Sequence, residues 1–218
     1  MRRRCQVPDR ADGFDVWSRP NRWPTNPGLE DFKPTWLEFY AELERLSGEL
    51  LRFFALGLGL EEHYFDPYVD QHLTNLCANY YPPITTPPAE GQYRKFPHTD
   101  SGTMTVLYQD EVGGLQVVDR RTGEWVDVPF VKGSFCVNIG DLMAIWTNDR
   151  WVSTQHRILT PPQEQWHKDR ISLPFFHQPN WSAVIECLPS CTDADTPPAH
   201  EPVLSGEYLS YKVVGLAA

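Results

Sequence analysis

No run of about 18 apolar residues occurs anywhere in the chain, so the sequence supports no transmembrane helix. Positive charge is also scarce. The 19 Lys and Arg against 29 Asp and Glu give a net charge of −10, and a chain without a broad positive field does not gather the phosphates of a nucleic acid. The only basic cluster, Arg2 to Arg4, runs into Cys5, Gln6 and Pro8 and not into the apolar segment of a signal peptide, so it reads as a solvated end. Cysteine is sparse and odd in number. Cys5, Cys77, Cys136, Cys187 and Cys191 contain no CxxC pair, which argues against a zinc ribbon or a disulfide framework and fits reduced thiols in a cytoplasmic protein. Cys187 and Cys191, four apart around a proline, leave a disulfide or metal role as the alternative.

Bulky apolar residues and proline are plentiful. With 8 Trp, 9 Tyr, 11 Phe and 41% hydrophobic residues over 218 positions, the chain can build one globular domain with a core of its own. The 20 prolines interrupt helices and point toward strands and turns. Residues 1–29 show neither a period of 2 nor one of 3.6 and read as an irregular arm in which Trp23 packs on a neighbour. A helical segment is expected over 30–72. In it Trp36, Leu37, Phe39, Tyr40, Leu43, Leu46, Leu50, Leu51, Phe53 and Phe54 recur at helical spacing up to Gly57 and Gly59, and a short turn follows at 61–68.

From 73 to 190 the pattern becomes short apolar runs with turn signals between them, nine candidate strands that suggest an all-β sandwich or barrel. One of the nine is Leu142 to Thr147. A hairpin turn is expected at Arg121 to Gly123, with further turns at Gly140-Asp141 and Asn148-Asp149. Residues 191–218 read as a C-terminal loop and tail.

Most of the histidines have ordinary explanations. His63, His72, His177 and His200 have no partner in a ligand register, which favours surface or core roles. His98-Thr99-Asp100 differs, because on an extended strand positions i and i+2 share a face and would offer a metal an imidazole and a carboxylate together. His167-Lys168-Asp169 repeats the pattern, but within a charged stretch that resembles an exposed loop. His98 follows Phe96 and Pro97 and leads into Met104 to Tyr108, where a dry cavity can form. His156, on an expected strand, is the best third ligand. Two imidazoles and one carboxylate leave open positions on an octahedral ion, the arrangement of non-haem Fe(II) oxygen chemistry, whereas zinc favours a closed tetrahedral set. Arg170 and Ser172 again share one face of a strand, and a planar guanidinium beside a hydroxyl reads as a carboxylate clamp.

Taken in order, Asn21-Arg22-Trp23-Pro24, Asn79-Tyr80-Tyr81-Pro82-Pro83, His98-Thr99-Asp100, Gly113-Gly114-Leu115, Asn138-Ile139-Gly140-Asp141, Ser153 to Arg157 and Arg170-Ile171-Ser172 resemble the isopenicillin N synthase-like branch of Fe(II)/2-oxoglutarate-dependent oxygenases. The resemblance implies a mainly β chain with flanking helices, built on a double-stranded β-helix, or jelly roll. It implies His98, Asp100 and His156 as iron ligands, and Arg170 and Ser172, helped by Tyr81 and Asn79, on the far carboxylate of 2-oxoglutarate. The implied activity is a dioxygenase oxidising a small organic substrate with O2 and releasing succinate and CO2. Two alternatives stay open: an oxidase that uses no 2-oxoglutarate, as in isopenicillin N synthase or the aminocyclopropane carboxylate oxidases, and a catalytically silent jelly-roll binding protein. The chain is shorter than members of that family usually are, so apolar surface on its long helix or outer sheet would favour a homo-oligomer.

Overall fold

The computed structural model describes residues 20–214. Cys5, the Arg2–Arg4 cluster and most of the expected N-terminal arm lie outside the described residues. Trp23 does pack, edge-on against Phe32 at 6.4 Å between ring centroids.

Helix α1 spans Phe32–Gly57. Its fully buried positions, Leu43, Ser47, Leu51 and Ala55, recur every four residues and form one ridge along the inner face. The helix ends because Gly59 takes a left-handed conformation (φ 71°). That lets Leu60 N–H reach back to Ala55 O (2.9 Å) and Gly59 N–H to Leu56 O (3.0 Å), closing the last carbonyls as in a Schellman motif. A single further turn, α2 (Asp66–Val69), follows.

The strands are β1 (Asn75–Leu76), β2 (Asn79–Tyr81), β3 (Lys95–His98), β4 (Met104–Gln109), β5 (Leu115–Val118), β6 (Trp125–Asp127), β7 (Cys136–Ile139), β8 (His156–Ile158), β9 (Arg170–His177), β10 (Val184–Ile185) and β11 (Val203–Leu204). They form two main antiparallel sheets. In one, β1 and β2 both pair with β9, which continues through β4 to β7; the other runs β3-β8-β5-β6. Between the sheets lies a cavity, so the chain is a jelly roll with flanking helices. Strand β9 shows how the layers divide its side chains. Arg170, Ser172, Pro174 and Phe176 line the cavity. Phe175 faces the other way into the core, where its ring meets that of Tyr40 from α1 at 5.2 Å.

Most of the 142–147 run, expected as a strand, is instead helical: α3 covers Asp141–Trp146, and Thr147 caps it. Every residue from Asp141 to Trp146 is buried, so an apolar run of this length carried no periodicity to separate helix from strand. The run stops where Asn148 (φ 51°) and Asp149 (φ 60°) adopt the left-handed region, at the expected turn. The expected C-terminal loop and tail also needs correction, because it contains β11 and helix α4 (Ser205–Val214).

Helix α3 fixes the loop that precedes β4. Its first N–H groups donate to carbonyls of that loop, Asp141 N to Asp100 O (2.7 Å) and Leu142 N to Gly102 O (3.1 Å). The approach needs a bare backbone, since a Cβ on Gly140 would lie 2.2 Å from Gly102 O.

His177 is fully buried beneath this loop, with Thr103 Oγ1 2.7 Å from its Nδ1 and the His72 ring 5.5 Å away. His72 in turn meets Glu44 of α1 at 2.8 Å. Burial, reinforced by His72, pushes His177 down from 6.5 to about 3, so the folded chain holds it neutral while the unfolded chain would protonate it near its ordinary value. Its contribution is therefore complete above about pH 6.5 and is lost as the pH falls toward 3, at a limiting rate of about 1.4 kcal/mol per pH unit. Acid unfolding followed by circular dichroism should show a shallower pH dependence for His177→Gln than for the unmodified chain across this window. Equal slopes would refute this account.

Candidate metal centre

The register of the smaller sheet sets His98 of β3 directly opposite His156 of β8, with ring centroids 4.2 Å apart. Each ring is oriented by a backbone carbonyl two residues earlier: His98 Nδ1 lies 2.7 Å from Phe96 O and His156 Nδ1 3.2 Å from Thr154 O. A carbonyl can only accept, so both Nδ1 atoms carry a proton, and in the neutral imidazole the lone pair is then on Nε2, where a metal can take it. Strand β8 is held from its other side. Arg157 stacks over the Trp125 ring at 4.0 Å and donates from Nη2 to Gln116 Oε1 of β5 at 2.7 Å.

Asp100 follows β3 and is buried. Its Oδ2 accepts from Thr105 Oγ1 (2.6 Å) and Asn138 Nδ2 (2.9 Å), residues that face each other across β4 and β7. The remaining oxygen, Oδ1, turns toward the imidazoles, 3.7 Å from His156 Nε2 and 4.0 Å from His98 Nε2. One ligand atom from each of the three residues falls within 4.8 Å of the others. Two bonds of about 2.1 Å to one divalent ion can span up to about 4.2 Å, so the carboxylate–imidazole separations suit a shared ion. Burial, and then the neighbouring His156, hold His98 below its ordinary value, which favours the neutral imidazole a metal needs. These residues fit a divalent metal.

The cavity beyond the triad has a volume of about 510 Å³. Its far end is built by the pairing of β2 with β9, which sets Asn79 opposite Ser172 and Tyr81 opposite Arg170. All four side chains line the cavity. Arg170 is completely buried. Its Nε donates to Gly113 O (2.7 Å) and its Nη2 to Gln109 Oε1 (3.3 Å), while the buried Nη1 has no hydrogen-bond partner among the described residues. A buried guanidinium with an uncommitted nitrogen, beside a serine hydroxyl, fits a carboxylate.

The rival pair His167 and Asp169 is exposed. His63 pairs with Asp66, and His200 with Asp149, away from the cavity. Sequence reasoning gave no role to Thr105 or Asn138, whose task depends on a register between distant strands. It also missed α4, which supplies Leu209, Lys212 and Val213 to the cavity wall. Lys212 Nζ lies 2.7 Å from Asp141 Oδ2 and donates to Thr99 Oγ1 at 3.0 Å, and Tyr208 OH donates to the same Asp141 oxygen at 3.0 Å. The i, i+4 spacing of Leu209 and Val213 was the available signal for this helix.

A jelly roll that gathers three donors on one side of an ion and keeps a cavity on the other belongs with the mononuclear non-haem metal enzymes. Residues 74–179 match the 2OG-Fe(II) oxygenase superfamily, and the chain belongs to that family, whose cofactors are Fe(II) and 2-oxoglutarate. The chain is 38% identical over 188 residues to the 2-oxoglutarate-Fe(II) type oxidoreductase hxnY of Emericella nidulans, covering 85% of this chain and 53% of that relative. It is 38% identical over 169 residues to the validamycin A dioxygenase of Streptomyces hygroscopicus, covering 76% of this chain and 46% of that relative. Among solved structures, a full-length Neurospora crassa protein crystallised in complex with alpha-KG superposes with a TM-score of 0.82 at 35% identity, over 90% of this chain and 62% of that one. The chain thus spans about half the length of these curated relatives.

Proposed function

We propose that this chain carries the catalytic core of an Fe(II)- and 2-oxoglutarate-dependent dioxygenase that hydroxylates, desaturates or cyclises a small organic molecule. The observation that carries the reading is the presence, in one cavity, of the His98, Asp100 and His156 donors and of Arg170, whose buried Nη1 has no hydrogen-bond partner among the described residues. Iron held by the three donors would supply the oxidising chemistry, coupling oxidation of the substrate by O2 to decarboxylation of 2-oxoglutarate to succinate and CO2.

The protein's part is orientation and exclusion of water. Thr105 and Asn138 occupy one carboxylate oxygen of Asp100 and leave the other for the ion, so the protein presents three donor atoms and does not close the coordination sphere. Arg170 and Ser172, with Tyr81 and Asn79, would hold the remote carboxylate of 2-oxoglutarate and thereby place its 2-oxo acid end toward the triad. The rest of the wall includes Leu107, Leu115, Val117, Ile158 and Phe176, with Asn75, Lys95, Ser101, Gln178 and Lys212 among its polar members, which favours a compact, mainly apolar substrate with a few hydrogen-bonding groups. Cys77, Cys136, Cys187 and Cys191 are unpaired thiols, supporting a reducing compartment such as the cytoplasm. No helix among the described residues is long and apolar enough to cross a membrane.

The test is direct. The purified chain, supplied with Fe(II), should bind 2-oxoglutarate in a metal-dependent manner and release succinate when small apolar acids, amides and heterocycles are screened as substrates. Failure to bind 2-oxoglutarate in the presence of Fe(II) would overturn the reading.

A further inference from the structure

We propose that Arg94 is a positioning residue for the cosubstrate, set with Arg170 around Tyr81 so that the deep end of the cavity favours a 2-oxo acid bearing a second, remote carboxylate. The inference rests on the function proposed above and adds to it a residue that belongs to none of the motifs in the sequence. Arg94 stands immediately before β3. Its guanidinium carbon lies 5.6 Å from the centroid of the Tyr81 ring, and that of Arg170 lies 5.2 Å from the same centroid. One aromatic ring therefore has two cations against it, and its position is tied to both.

The two guanidinium groups also share a deficit. Arg94 Nη2 and Arg170 Nη1 are both buried with no hydrogen-bond partner among the described residues. The carboxylate whose charge acts on both is that of Asp110, and its oxygens are engaged by backbone N–H groups, Oδ2 by Ile171 at 2.5 Å and Oδ1 by Val112 at 3.1 Å. Two cations thus face one anion whose acceptors are in use. Burial holds both guanidinium groups below their ordinary value, and the charge of Arg94 adds to the lowering at Arg170. A second negative charge arriving at Arg170 relieves this repulsion, and a methyl group in its place does not. The consequence is selectivity between two acids of equal length: 2-oxoglutarate, with a carboxylate at its far end, and 2-oxopentanoate, with a methyl group there.

Calorimetric titration of the Mn(II)-loaded full chain with each acid tests the proposal. Arg94→Gln should weaken 2-oxoglutarate binding by about tenfold, the order expected for loss of one charged interaction in a partly buried site. Binding of 2-oxopentanoate should stay the same within error, and Arg94→Lys, which keeps the charge, should recover part of the lost affinity. Equal losses for the two acids would mark Arg94 as merely structural and overturn the proposal, as would an unchanged affinity for 2-oxoglutarate. If Arg94→Gln melts early, Arg94→Met, which keeps an unbranched apolar stem against Tyr81, carries the same expectation. A wild-type chain that binds Mn(II) but not 2-oxoglutarate would sink the enzymatic reading itself, an outcome visible before any variant is made.

Discussion

His156→Ala is expected to weaken Fe(II) binding by at least about 100-fold in an anaerobic titration, and to abolish metal-dependent succinate release with it. The magnitude follows from comparison, since losing a residue that merely orients a ligand typically costs roughly 10 to 100-fold in metal affinity and losing the ligand itself costs more. The geometry explains why the two remaining donors would not suffice. Asp100 offers the ion a single oxygen, because Thr105 and Asn138 occupy the other, and His98 alone cannot compensate. His98→Ala should behave alike. His167→Ala supplies the control: it removes a histidine from the same tripeptide pattern on an exposed segment and should leave Fe(II) affinity unchanged. Loss of binding in the His167 variant, or its retention in the His156 variant, would dismantle the proposed centre.

The second large effect is expected at the other end of the cavity. Arg170→Gln should raise the dissociation constant for 2-oxoglutarate by about 30-fold or more, from the roughly 2 to 5 kcal/mol lost when one partner of a buried charged pair is truncated. Fe(II) affinity measured without cosubstrate should not follow, because no metal donor is altered. Arg170→Lys would keep the charge but not the planar fork, and should recover little. The glutamine variant also forgoes the bond from Nε to Gly113 O, so a thermal melt belongs beside the titration to separate folding from binding. An unchanged affinity for 2-oxoglutarate in a folded Arg170→Gln protein would remove the carboxylate-clamp role.

What the sequence reveals about this site depends on how far apart the cooperating residues lie. His98 with Asp100 and Arg170 with Ser172 are legible because a strand puts i and i+2 on one face, and a two-residue spacing survives any arrangement of the sheets. The pairing of His98 with His156 is less local, but the ordered motifs between them point to it. Asp100 with Asn138, or Lys212 with Thr99, is a different matter. These contacts cross 38 and 113 positions and follow from strand register and helix docking, which no local pattern encodes. Helix α3 escaped for the opposite reason, an excess of burial: with all its faces covered it lost the alternation that distinguishes a helix from a strand. Arg94 carried no signal at all, since a lone arginine before a strand reads as a surface charge until Tyr81 is placed beside it.

The ammonium of Lys212 touches Thr99, the residue between two of the three metal donors, and also Asp141, whose N–H holds Asp100 O. The last described helix is thus mechanically in series with the iron-binding loop. A purification tag fused after α4, or a protease that trims it, would pull on the donor set itself, so the placement of such tags is a variable in any measurement of metal affinity made on this protein.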